Sequence, residues 1–362
     1  MARKEQFVGL TGLRGVGAVS VFVFHAAFSF ELPVLRDGYL GVDLFFMLSG
    51  FVLCYAHSGP DWPLGRYWRF VRTRFARIFP MHLAALAVTL LVVTSWPGFV
   101  ESFGARAANK FTPGEFVASA FLMQNWGLGE AVAWNVPAWS LSAEWLASLA
   151  FPCFAVGAAR VTRASAAVAL GLLAIAAFLA FLFLTHNPNP GVTGRAGLVR
   201  LVLEFAAGAL TYRAYALGYR AGRLAGIAAL CCLVAGLCDS RLVGLVLFAI
   251  PTTILLAAQS GNLVSRALST GPLRLIGEVS YSFYLLHWIV LMMSVRIADS
   301  MHVAGWSLVA WDAALFYLLL GLATMTYTWI EMPARDALRP RKPQIAPEAG
   351  GGLEPPDGRA TA

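Results

Sequence analysis

Residues 164–185 read ASAAVALGLLAIAAFLAFLFLT, a run with no charged residue in it. About 20 apolar residues, rising 1.5 Å each along a helix, cross the hydrocarbon of a bilayer. Arg160 and Arg163 stand just before the run, as positive charge does at the cytoplasmic end of a span. The stretch reads as a transmembrane helix, and a fold built on it should repeat the pattern.

The rest of the chain does repeat it. The 362 residues are 59% hydrophobic and 13% charged, with a mean hydropathy of +0.68; soluble domains carry about a quarter charged residues. That composition excludes a disordered chain, a disulfide scaffold and a nucleic-acid module, and it argues against a soluble enzyme. The same ruler predicts about ten spans, near 10–30, 39–57, 80–96, 137–158, 164–185, 198–217, 223–238, 242–259, 277–297 and 306–329. Residues 115–136, where a short apolar run gives way to Gln124, Asn125 and Trp126, read as an outer-face or re-entrant segment. The fold class expected is an all-α integral-membrane bundle.

The net charge of +8 orients it. With a cytoplasmic N-terminus, most basic residues fall inside, from Arg3 and Lys4 through the cluster at 66–77 to Arg335, Arg339, Arg341 and Lys342. Both termini are therefore expected in the cytoplasm. Arg14 interrupts the first apolar run, which reads as a span rather than a signal peptide. Residues 1–335 read as one membrane-embedded domain and 336–362, rich in Pro and Gly, as a disordered cytoplasmic tail. Cys54, Cys153, Cys231, Cys232 and Cys238 sit in apolar runs with no metal-ligand spacing and read as small buried side chains. No internal repeat is visible, which weakens a transporter built from inverted halves.

Ionisable residues inside a membrane are functional candidates by default. Arg14 and His25 share one face of the first span, about 16 Å apart along its axis. If the first two spans form a hairpin centred near Val34, Asp43 falls at the depth of His25, where a carboxylate would set the imidazole tautomer and raise its basicity. Glu144, with Ser140 and Ser142, is expected at a similar depth. Plainer readings stand beside these: snorkelling for Arg14, and interhelical hydrogen bonds for His25, Asp43 and Glu144. His287 falls mid-membrane and reads as packing, while Glu204, Glu278, Asp312 and Glu331 lie nearer span ends and read as interfacial. In the 66–77 cluster, Arg74 and Arg77 share a helix face suited to a phosphorylated ligand, although anionic lipid would also suffice. A cytoplasmic phosphate site below a deeper His and carboxylate cluster suits transfer of a group across the membrane. A transporter or flippase for a glycan or small acid uses the same residue types, and spacing alone does not separate the two.

Six motifs in order resemble the integral-membrane acyltransferases of acyltransferase family 3, which act on O-antigen, exopolysaccharide, peptidoglycan and macrolides. They are Leu10-Thr11-Gly12-Leu13-Arg14-Gly15 running on to His25, the stretch at 38–51 (GYLGVDLFFMLSGF), Arg74 to Pro80 (RFARIFP), Trp139 to Trp145 (WSLSAEW), Ser280 to Trp288 (SYSFYLLHW) and Ile330 to Arg335 (IEMPAR). Thr11 departs from the family's usual Asp. The resemblance also implies the stand-alone form, without the extracytoplasmic hydrolase-like domain of some relatives. It implies an acyltransferase that O-acetylates a carbohydrate acceptor, such as a surface polysaccharide, lipopolysaccharide or lipid-linked glycan. Acetyl-CoA, or another acyl-CoA, would be the co-substrate, with no metal and no nucleic-acid partner, in the bacterial cytoplasmic (inner) membrane. It further implies that His25 is the general base or an acyl carrier, that Arg14, Arg74 and Arg77 contact the CoA phosphates or the thioester, and that Asp43 and Glu144 orient His25 and the acceptor.

Overall fold

The computed structural model describes residues 7–26, 36–101, 103, 107–128, 132–187, 189–303 and 306–338. Among them every regular element is a helix. In chain order the α-helices are α1 (Val8–Ala26), α2 (Gly41–His57), α3 (Leu64–Ser95), α4 (Pro97–Glu101), α5 (Ala107–Lys110), α6 (Pro113–Ala120), α7 (Ala138–Leu149), α8 (Phe151–Ala159), α9 (Ala164–Leu184), α10 (Gly194–Ala216), α11 (Arg223–Cys238), α12 (Gly244–Ala258), α13 (Leu263–Leu268), α14 (Gly271–Ser300), α15 (Trp306–Thr326) and α16 (Met332–Leu338). The apolar run that opened the sequence reading is α9.

Each of the ten segments expected to span coincides with a helix or helix pair. By length and apolarity six candidate spans stand, on α1, α2, α3, α9, α14 and α15; α7 and α8, which meet at a 58° bend, make a seventh if they cross together. The other three differ for visible reasons. Helices α11 and α12 have 16 and 15 residues, and α10 carries Arg195, Arg200, Glu204 and Arg213. The 115–136 stretch holds only the eight-residue α6 and an irregular turn at Gln124–Leu128. The hairpin centre near Val34, Arg3 and Lys4, and the tail beyond Leu338 lie outside the described residues.

One boundary moves substantially. The expected span at 80–96 is the second half of α3, a helix of 32 residues that begins at Leu64 and takes in the whole basic cluster. At 1.5 Å per residue it is about 48 Å long, well beyond the roughly 30 Å hydrocarbon, so its basic half belongs to the same rigid rod. Pro80, at which the expected span began, sits inside the helix.

Lipid gives helices no hydrophobic reason to associate, so close backbone approach does the work. Helix α1 packs on α14 and α2 on α10. A Cβ on Gly277 of α14 would overlap the Thr11 carbonyl oxygen of α1, and one on Gly208 of α10 would overlap the Met47 carbonyl oxygen of α2. These two contacts fix the helices that carry the candidate site. Away from them, Leu173, Phe183, Leu224, Leu230, Tyr317 and Trp329 are exposed, as lipid-facing side chains should be. The cysteines correct the sequence reading: Cys54 is buried, but Cys153, Cys231 and Cys238 are exposed and Cys232 is half-exposed. An apolar helix reads alike whether its face meets protein or lipid.

Candidate active site

Helices α1, α2, α3, α7, α14 and α16 line a cavity of about 380 Å³. Arg14, Arg74, Arg77 and Arg335 line it together with Glu144, Tyr281 and Tyr284. Three of the sequence-predicted residues on separate helices, Arg14, Arg74 and Glu144, thus meet in one place, with Arg77 one turn beyond Arg74. Arg74 is buried and donates to Glu144 Oε1 at 2.6 Å and to Ser148 Oγ at 3.2 Å. Ser49 Oγ donates to the same Glu144 oxygen at 3.0 Å. Arg14 and Arg77 are half-buried, and among the described residues neither makes a side-chain hydrogen bond or an ion pair. Glu331, expected at the interface, is 4% exposed, accepts from Ser282 Oγ at 3.0 Å and acts electrostatically on both guanidiniums. Four guanidiniums against two carboxylates leave the cavity cationic. Arg335 and Glu331 were quoted as a motif but not assigned to the site; their place at the far end of the chain hid their proximity to Arg14.

Asp43 lies elsewhere than expected. Arg200 of α10 grips its carboxylate with two hydrogen bonds, Nε to Oδ1 at 2.9 Å and Nη2 to Oδ2 at 2.5 Å. Glu204, one turn along α10, lies 3.6 Å from the same guanidinium. Arg200 is 1% exposed and both acids are fully buried. Asp43 therefore serves the guanidinium of α10 and not the imidazole of His25, and Glu204 is core rather than interfacial. Sequence reasoning did not single out Arg200. The signal was present: an Arg and a Glu four apart on an apolar helix face one another, and an intramembrane charge needs a partner.

His25 pairs with His287. Its Nδ1 lies 2.9 Å from the Val21 carbonyl oxygen and 3.3 Å from His287 Nε2. The two rings meet edge to face at 4.9 Å between centroids. His287, one turn after Tyr284 on α14, bonds through Nδ1 to the Tyr284 carbonyl oxygen and is 1% exposed, whereas His25 is half-buried. Tyr284 joins this pair to the cavity: it lines the cavity wall, its hydroxyl lies 2.8 Å from Ser140 Oγ, and its ring meets Phe45. His287 was expected as packing; its contact with His25 crosses 262 positions of sequence, a distance no local pattern reads.

The profile of the acyltransferase domain of family 3 matches residues 7–330. The chain belongs to acyltransferase family 3. It is 30% identical over 167 residues to the acyltransferase MdmB of Streptomyces mycarofaciens, a match covering 41% of this chain and 39% of that protein. It is 24% identical over 363 residues to the peptidoglycan O-acetyltransferase OatA of Listeria monocytogenes, covering 90% of this chain and 55% of that one. The putative peptidoglycan O-acetyltransferase YrhL of Bacillus subtilis is 25% identical, with 90% and 54% covered. The chain thus spans between about two fifths and just over half the length of these relatives. No solved structure matches it. Family membership accounts for the order of the six motifs, and the cavity is where all six converge, through Arg14, Ser49, Arg74 with Arg77, Glu144, Tyr284 and Arg335.

Proposed function

We propose that this chain transfers an acyl group, in the first instance acetyl, from acyl-CoA to a hydroxyl of a carbohydrate acceptor at a bacterial cell surface. The donor enters from the cytoplasm, and residues 1–335 are the membrane domain that performs the transfer. About ten helices cross the bacterial cytoplasmic membrane, both termini lie inside, and the tail follows.

One observation carries this reading: Arg14 of the cationic cavity and His25 stand on one helix, one donor-length apart. Arg14 and His25 are separated by about 16 Å along α1. The pantetheine arm of CoA runs about twelve bonds from phosphate to sulfur, the length of roughly four extended residues or 13–14 Å, and the thioester carbon adds one bond more. Phosphates held by Arg14, Arg74, Arg77 and Arg335 therefore bring the thioester to His25. A volume of about 380 Å³ is at the lower end for a small-molecule pocket and suits the narrow arm of the donor. With His25 as general base, the acceptor O–H gives its proton to Nε2 while its oxygen bonds to the acyl carbon. The C–S bond breaks, and the departing thiolate takes the proton from the imidazolium.

The test uses the full chain in nanodiscs with radiolabelled acetyl-CoA, soluble peptidoglycan fragments and a macrolide as acceptor probes, and His25→Ala beside wild type. Expected are donor binding in both and turnover in wild type alone. A wild type that binds neither acetyl-CoA nor succinyl-CoA nor longer acyl-CoAs overturns the proposal and favours transport. Full activity in His25→Ala removes His25 from the mechanism.

A further inference from the structure

We infer that His287 is the positioning residue for His25, filling the place that a carboxylate takes in a carboxylate–histidine pair; the inference rests on the reading of His25 as base. Carbonyl oxygens only accept, so the ring nitrogens facing them must donate. His25 Nδ1 faces the Val21 oxygen and His287 Nδ1 faces the Tyr284 oxygen. Both rings are then neutral Nδ1–H tautomers. His287 Nε2 is left with a lone pair aimed at the His25 Nδ1–H at 3.3 Å, and His25 Nε2 is left with the lone pair that abstracts a proton. With both rings neutral, the three contacts allow one consistent placement of protons, and it is the one a base requires.

The arrangement also acts during the reaction. When Nε2 takes the acceptor's proton, positive charge spreads over the His25 ring and its Nδ1–H becomes a stronger donor. Two acceptors meet it, the Val21 carbonyl and His287 Nε2. Asp43 is not free for this task, because Arg200 holds both of its oxygens. A neutral imidazole supplies the acceptor without bringing an uncompensated carboxylate into the membrane interior. His287 also begins the chain of contacts through Tyr284 to the cavity wall, so seating of the donor arm and orientation of the base share one turn of α14.

A packing role and a positioning role predict different variants. His287→Leu keeps apolar bulk and removes the acceptor; His287→Gln returns an oxygen near the place of Nε2. In nanodiscs with acetyl-CoA, His287→Leu is expected to lower kcat roughly 10- to 100-fold, at or below the lower end of what a positioned acid or base contributes, with the KM for acetyl-CoA changed less than about twofold. His287→Gln is expected to recover most of kcat. Unchanged kcat in His287→Leu, or equal losses in both variants tracking a lower melting temperature, overturns the inference. A second arm needs no turnover: ¹⁵N-histidine NMR of the full chain, assigned with His25→Ala and His287→Gln. It should show His25 protonated on Nδ1 and a through-hydrogen-bond coupling to His287 Nε2. A proton on His25 Nε2, or no coupling, overturns the inference. If wild type turns over no acyl-CoA the functional reading falls, while the coupling still upholds or overturns the pairing.

Discussion

Replacing Asp43 by Asn tests whether that acid serves the fold or the reaction. The Asp43–Arg200 pair is bidentate and fully buried, and removing one member of such a pair leaves a buried charge unbalanced, typically at a cost of 3–5 kcal/mol. Glu204 remains 3.6 Å from the guanidinium and offsets part of this, and the Asn oxygen retains one hydrogen bond. We therefore expect about 2–3 kcal/mol. At an unfolding entropy of about 2.1 cal/mol/K per residue, a chain of 362 residues shifts by roughly 1.3 °C per kcal/mol, so the melting temperature in nanodiscs should fall by roughly 3–4 °C. The double variant Asp43→Leu with Arg200→Met removes both charges and should be less destabilised than the sum of the two single changes, by about 2 kcal/mol or more in a double-mutant cycle. Turnover per folded molecule should stay within a fewfold of wild type at a temperature where Asp43→Asn is fully folded. An Asp43→Asn protein that melts as wild type does and has lost turnover would refute the reasoning and return Asp43 to the catalytic role the sequence suggested.

Three other perturbations probe the remaining parts. Arg77→Ala should raise the KM for acetyl-CoA by roughly tenfold or more, the worth of one hydrogen bond to a charged group, with little change in kcat; steady-state kinetics against donor concentration decides, and an unchanged KM leaves the 66–77 cluster a lipid anchor. Gly277→Val should sharply lower the yield of folded protein, because the new carbons meet the Thr11 carbonyl of α1, whereas Gly321→Ala, with open space around it, should leave melting unchanged. Cys54→Trp should destabilise by about 1–3 kcal/mol through overpacking, while Cys231→Trp and Cys238→Trp, exposed on α11, should melt within a degree or two of wild type.

The sequence showed where helices run because a bilayer imposes one length and one composition, and α9 and α14 obey it without ambiguity. It was less informative on α3, whose basic half was left outside the expected span because a charge-rich segment does not resemble one. It also showed which residues carry charge at depth, and Arg14, Arg74, Arg77 and Glu144 do converge. Partners were the part it withheld. Equal depth placed Asp43 beside His25, but depth is one coordinate of three: α2 packs its Asp43 face on α10, while α1 turns His25 toward α14. Which helix faces which is decided by close-packed glycines such as Gly208 and Gly277, and these carry no chemical label that a pattern search would weigh.

That division of partners has an electrostatic reason. A base must stay neutral to accept a proton, and cations nearby oppose its charging. Two unit charges about 4 Å apart interact by roughly 4 kcal/mol at an effective dielectric of 20, but by only about 1 kcal/mol at about 16 Å. Placing His25 inside the arginine cavity would charge its imidazolium against guanidiniums at the first of these distances. Eleven residues along α1 from Arg14, it meets that guanidinium near the second distance instead, a repulsion that a lone pair on His287 and a carbonyl at Val21 can offset locally. The same separation keeps Asp43 from being needed at His25, leaving it to neutralise Arg200. Under the proposed function, the length of the pantetheine arm would thus let one membrane domain hold an anionic donor tightly and still keep a neutral base at the point of transfer.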